Sequence, residues 1–163
     1  MSSQRRREAL RIERVIGHTC CGSTSLTAAS GNTLLYTAGA LVVRYDVLSN
    51  SQKAFYRTKK PVSCITVSPD GRYLAAGERG HMPSVVIWEL SSGQILATLS
   101  AHTQGVSCMA FSPDSSLLVT VGFKFDKQLL VWEWKENLVL STQKVVMQIL
   151  KSYLIVLLFT FLG

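Results

Sequence analysis

An imidazole, a hydroxyl and a carboxylate stand near one another in the second half of the chain, at His102, Thr120 and Asp126. These are the residue types of a hydrolytic triad, in which an acid orients a base and the base activates a hydroxyl. The surrounding sequence argues against that chemistry. A threonine hydroxyl is a poor nucleophile unless an N-terminal amine activates it, and no nucleophile-elbow motif is present. No Gly-rich phosphate loop, HExxH helix or paired-carboxylate arrangement occurs. The four cysteines, Cys20, Cys21, Cys64 and Cys108, form no C-x-x-C pair, and no histidine lies at a spacing that completes a zinc site. His81, before Met82-Pro83, reads as a loop histidine, and His18, after Gly17, as a cap on the first folded unit. The expectation is a protein with no catalytic residue, no metal and no cofactor.

The totals describe a globular chain: 163 residues, 47% hydrophobic and 17% charged, without a long Pro, Gln or Gly/Ser tract. The net charge of +7 is compatible with nucleic acid or an anionic surface, but its placement weakens that reading. Arg5, Arg6, Arg7, Arg11 and Arg14 sit on a short N-terminal arm, 1–14, with no aromatic residue interleaved. A solvated arm is therefore expected, and no nucleic-acid partner. Lys59-Lys60-Pro61 reads as a solvated basic turn. No apolar stretch follows the N-terminal charges, so no signal peptide is expected.

What must position these residues is a repeat. Val62-Ser63-Cys64-Ile65-Thr66-Val67-Ser68-Pro69-Asp70 aligns with Val106-Ser107-Cys108-Met109-Ala110-Phe111-Ser112-Pro113-Asp114, and the offset of 44 then carries Leu74 onto Leu118, Trp88 onto Trp132 and Glu89 onto Glu133. That period suits a four-stranded propeller blade. Val62 to Val67 alternates as a strand, and Ser68-Pro69-Asp70-Gly71 is a turn. Tyr73 to Gly77, Ser84 to Leu90 and Gln94 to Leu99 follow as strands, and the next unit repeats the order at Val106 to Phe111, Leu117 to Val121, Gln128 to Trp134 and Leu138 to Thr142. A more divergent unit precedes them, with Leu34 to Gly39, Leu41 to Asp46 and Ala54 to Arg57 as strands and Tyr45-Asp46 in the place of Trp and an acid. Blade-core and turn positions are thus Tyr45, Trp88, Pro69, Asp70, Pro113 and Asp114. Cys64 and Cys108 occupy matching strand positions, as buried reduced thiols would.

The Ser-Pro-Asp turns, the Trp-Glu strand ends and Ala101-His102 in a Gly-His place resemble WD repeats. Ile12-Glu13-Arg14-Val15-Ile16-Gly17, Gly77-Glu78-Arg79-Gly80-His81-Met82-Pro83 and Val131-Trp132-Glu133-Trp134-Lys135 more closely resemble the mitogen-activated protein kinase-binding WD-repeat scaffolds, a family with a spindle-pole and centrosome relative. The resemblance covers about residues 10 to 145. It implies a non-catalytic protein-interaction scaffold in the cytoplasm, also at the centrosome or spindle pole, with kinases and cytoskeletal or centrosomal proteins as partners. It implies that this chain is the start of a longer protein. It also implies a structural hydrogen-bond relay through His102, Thr120, Asp126 and Trp132. Buried indole, hydroxyl and imidazole groups must be paired or cost about 1–3 kcal/mol each.

The fold expected is all-β: a partial, unclosed WD-repeat β-propeller of about three four-stranded blades, 15–60, 61–104 and 105–144, with a hydrophobic, helical tail, 145–163. Three blades leave two blade faces without a neighbour, so the chain by itself is expected to be a poorly soluble open arc. The tail breaks the repeat, since Val156-Leu157-Leu158 stand where the next Ser-Pro-Asp is due. Its clean run from Ser152 is too short to span a membrane: twelve helical residues rise about 18 Å against a core of about 30 Å. Starting at Val145 gives the length but places Lys151 inside, at about 2.5–3.5 kcal/mol. Two readings stand, a marginal membrane tether and an aberrant or alternative C-terminus.

Overall fold

The structure, a computed structural model, describes residues 12–19, 24–29 and 31–144. The arginine arm up to Arg11, Cys20, Cys21 and the expected helical tail lie outside the described residues. Among the described residues no helix is long and apolar enough to cross a membrane.

Twelve strands form three four-stranded antiparallel meanders. The first sheet holds β1 (Leu26–Ala28), β2 (Thr33–Ala38), β3 (Leu41–Asp46) and β4 (Ser51–Arg57). The second holds β5 (Val62–Val67), β6 (Tyr73–Glu78), β7 (Val85–Glu89) and β8 (Ile95–Leu99). The third holds β9 (Val106–Phe111), β10 (Leu117–Gly122), β11 (Gln128–Glu133) and β12 (Leu138–Lys144). β1 packs beside β5 and β5 beside β9, so the first strand of each sheet is innermost. The last strands, β8 and β12, are mostly exposed.

Two features explain why these residues form these hairpins. In the tight turns, Ser68 Oγ accepts from Tyr73 N at 2.9 Å and Asp70 accepts from Arg72 N at 3.1 Å. Ser112 Oγ and Asp114 repeat this with Leu117 N at 2.8 Å and Ser116 N at 3.1 Å. The side chains thus satisfy backbone donors that the turn leaves unpaired. Hydrogen bonds from Ser112 and Ser116 hold the Asp114 carboxyl at about 2. The second feature is a bulge at the same place in every sheet: pairing to the outermost strand slips between Arg44 and Tyr45, Ile87 and Trp88, and Val131 and Trp132. An extra residue there sharpens the twist of the outer strand.

Two apolar layers lie between the sheets. Leu35, Val42, Tyr56, Val62, Leu74 and Trp88 fill the first, with Tyr56 and Trp88 ring centroids 5.8 Å apart. Cys64, Tyr73, Ile87, Val106, Phe111, Leu130, Trp132 and Trp134 fill the second. Gly77 lets the second and third sheets approach, because a Cβ there would stand 2.8 Å from both Cys64 Sγ and Val106 Cβ. On the alternate residues of the third sheet, Cys108, Val119 and Leu129 form a smaller cluster on its other face. No fourth sheet follows among the described residues, and the arc is open.

Sequence reasoning missed β1, which is only three residues long, too short for its alternation to stand out, and has no buried residue. It also started the fourth strand of the first sheet late, at Ala54, whereas β4 begins at Ser51.

Candidate functional site

His102, Thr120, Asp126 and Trp132 come together at the end of the third sheet. Thr120 is on β10 and Trp132 on β11, while His102 lies in the β8–β9 connection and Asp126 in the β10–β11 connection. Trp132 Nε1–H donates to Thr120 Oγ at 2.9 Å, and Thr120 Oγ lies 2.8 Å from His102 Nε2. His102 Nδ1 bonds Asp126. The other Asp126 oxygen accepts from Thr103 N at 3.3 Å and Thr103 Oγ at 2.9 Å.

The two ends fix the direction of the chain of bonds, the indole of Trp132 and the carboxylate of Asp126. The indole can only donate, so Thr120 Oγ accepts from it, while the acceptor-only carboxylate of Asp126 at the other end requires the proton of a neutral ring on Nδ1. Nδ1–H donates to the carboxylate, Nε2 is then bare, and Thr120 Oγ–H donates to it. Burial lowers the His102 pKa, against the pull of Asp126, and this agrees with a neutral ring. Relative exposure is 2% for His102 and Trp132, 0% for Thr120 and 9% for Asp126. A substrate has no approach to that hydroxyl, and its proton is already committed to the imidazole.

The second sheet solves the same problem with other residues. At the offset of 44, Thr58, Ala76 and Met82 replace His102, Thr120 and Asp126, so no relay can form beside Trp88. Glu78 takes over. Its Oε1 accepts from Lys59 N at 2.9 Å and Lys60 N at 3.0 Å, and its Oε2 from Ser84 N at 3.0 Å. Thr58 Oγ donates to Lys60 O at 2.7 Å and Ala40 O at 3.0 Å. In both sheets a buried carboxylate thus ties the incoming loop to the loop between the second and third strands. The two solutions exclude each other. Gly122 matches Glu78 in the repeat, and a Cβ at Gly122 would overlap the Asp126 carboxyl group. Sequence reasoning overlooked Glu78; the available signal was an acid at a strand end with Gly at the equivalent place.

The remaining singled-out positions divide by burial. Trp88 is buried at 2% exposure, and Pro69, Asp70, Pro113 and Asp114 lie exposed in the turns. Tyr45 keeps the register of the tryptophans, pairing with Leu34 as Trp88 pairs with Leu74 and Trp132 with Leu118. It is half-buried, and its hydroxyl donates to Asn50 in the adjoining turn. His18 Nε2 lies 3.4 Å from Ser25 O, and His81 is exposed. Among the described residues no group of three or more His, Cys, Asp or Glu is arranged to hold a metal ion.

Three four-stranded meanders fanned around their first strands, with tight Ser-Pro-Asp turns in two of them and an aromatic at each bulge, are blades of a β-propeller. The WD domain, G-beta repeat pattern matches residues 50–88 and 93–133, and the chain belongs to the WD-repeat family. The first match runs from β4 to β7 and the second from β8 to β11, so each repeat contributes an outer strand to one sheet and three strands to the next. Among its relatives, the chain is 41% identical over 141 residues to WD repeat-containing protein 62 of Mus musculus, covering 85% of this chain. It is 42% identical over 136 residues, 82% of its length, to Mitogen-activated protein kinase-binding protein 1 of Mus musculus. The chain spans about 9% of the length of each. Among solved structures it resembles U3-55K, with a TM-score of 0.66 and 26% identity over 85% of this chain and 42% of that one.

Proposed function

We propose that the chain is a non-catalytic protein-interaction module, part of a larger cytoplasmic WD-repeat scaffold whose partners are kinases or cytoskeletal and centrosomal proteins. One observation carries this reading. The residues with triad chemistry are buried and engaged with one another, and what they hold in place is a set of exposed loops. A propeller that invests its polar interior in fixing loops presents a surface for recognition. The name of the kinase-binding relative supports the kinase direction.

The test places a photo-cross-linking residue at Met82 and, separately, at Leu48, both exposed and at opposite ends of the strands. The chain is then irradiated with purified mitogen-activated protein kinases and in cell lysate. A discrete adduct with a kinase is expected from one position. No kinase adduct and no discrete lysate adduct from either position would overturn the reading.

A further inference from the structure

Antiparallel meanders put alternate connections at opposite ends of a sheet, so residues 58–61, 79–84, 100–105 and 123–127 share one face of the arc. Direct bonds join them into a continuous surface. Arg79 N donates to Pro61 O at 2.9 Å, Met82 N to Thr103 O at 2.9 Å and Phe123 N to Gly105 O at 3.0 Å. The Lys60 ammonium donates to the carbonyls of His81 and Met82.

This face carries one sign of charge. Lys59, Arg79, Lys124 and Lys127 are exposed on it and Lys60 is half-buried. The only carboxylate in these four segments is Asp126, buried against His102, and Glu78 beneath them is 1% exposed. The opposite face is mixed, with Asp70, Asp114 and Glu136 exposed among Arg72 and Lys135. Two large apolar side chains stand out among the cations: Met82 is 58% exposed and Phe125 is 81% exposed. Their backbones are fixed. Met82 sits at φ 49°, held by the bond to Thr103, and Phe125 directly precedes the carboxylate that the relay anchors. Exposed apolar groups on a fixed backbone, ringed by one sign of charge, form a preorganised anchor site.

We propose that this face docks an acidic peptide segment that carries a bulky apolar side chain. Its carboxylates face Lys59, Arg79, Lys124 and Lys127, and its apolar side chain packs on Met82 and Phe125. The inference rests on the interaction-module reading and names the chemistry of the partner. Complementary charge steers such a segment and selects against basic ones. Nucleic acid is the weaker fit, because one exposed ring among the cations supplies no series of stacking platforms.

The test is fluorescence polarisation on the full chain. The probes are a labelled peptide Glu-Asp-Glu-Leu-Phe-Glu-Asp-Glu, the same peptide with Gln and Asn for its acids, and a labelled oligothymidine of about the same length. The acidic peptide is expected to bind about tenfold more tightly than the neutral one or the oligothymidine. Lys124→Glu with Lys127→Glu weakens it about tenfold, and Phe125→Ser weakens it about fivefold. Arg72→Glu with Lys135→Glu on the other face changes it by less than about twofold. Melting temperatures of the variants confirm that they fold. Equal binding of acidic and neutral peptides, or equal losses from both faces, overturns the proposal. So does oligothymidine binding more tightly than the peptide. If acidic peptide fails while the cross-linker captures a kinase, this proposal falls and the interaction module stands.

Discussion

Thr120→Val keeps the shape of a fully buried side chain and removes only its hydroxyl. That hydroxyl is the middle of the relay, so its loss strands two groups at once: the Trp132 Nε1–H and the His102 Nε2 lone pair. Both residues are 2% exposed, and water has no route to replace the lost partner. A stranded buried polar group costs about 1–3 kcal/mol, so the variant should lose about 2–6 kcal/mol. Against a typical total of about 5–15 kcal/mol, that is a large fraction. Trp132→Phe removes the donor and leaves Thr120 still bonded to His102. Adding Thr120→Val to it strands only Nε2, so the two substitutions should couple by about 1–3 kcal/mol and the double variant should fall short of the sum. Urea denaturation followed by far-UV circular dichroism measures all four proteins, with comparison of m-values to check that the unfolded states match. A loss below about 0.5 kcal/mol in Thr120→Val, or strict additivity in the pair, would refute the relay as a source of stability.

The depressed pKa of His102 predicts an acid-sensitive step. A histidine that folds with a pKa below its unfolded value of about 6.5 contributes stability that is complete above about pH 6.5 and declines as the pH falls below it. Urea midpoints taken between about pH 7 and pH 5 should fall in the native chain and stay flatter in His102→Gln; matching slopes would assign the sensitivity elsewhere. Glu78→Gln turns one of its acceptor oxygens into a donor facing either Ser84 N or the amides of Lys59 and Lys60, with a cost of about 1–3 kcal/mol. Hydrogen exchange at those three amides should accelerate, and unchanged protection would count against their carboxylate anchor. Gly77→Ala forces a methyl group to within 2.8 Å of Cys64 Sγ and Val106 Cβ, so thermal melting should show a loss of about 1–3 kcal/mol. A neutral result would mean that the second and third sheets separate easily.

Much of the fold is legible in the residue order because it is built from local rules. Ser-Pro-Asp closes its own turn through bonds two and five residues away, so Ser68 and Ser112 act alike wherever the chain places them. The aromatic at the bulge follows from one register repeated in three sheets, and Tyr45 keeps that register even though it is half-buried. The relay residues could be named only through the WD-repeat likeness. Nothing in the spacing of His102, Thr120 and Asp126 distinguishes a buried chain of hydrogen bonds from an exposed triad; burial and direction decide that.

The amino-acid sequence by itself determines the repeat and the strand-and-turn order of the second and third sheets, because period, alternation and turn chemistry act over a few residues. Only the tertiary structure decides which carboxylate ties which loops. Glu78 reaches Lys59 and Lys60 from 19 and 18 residues away, and Asp126 reaches His102 from 24. Those partners meet because the connection from one sheet to the next brings distant residues to the same end of the strands. The same packing gathers Lys59, Arg79, Met82, Phe125 and Lys127 onto one face, although in the sequence they belong to separate loops with no common pattern.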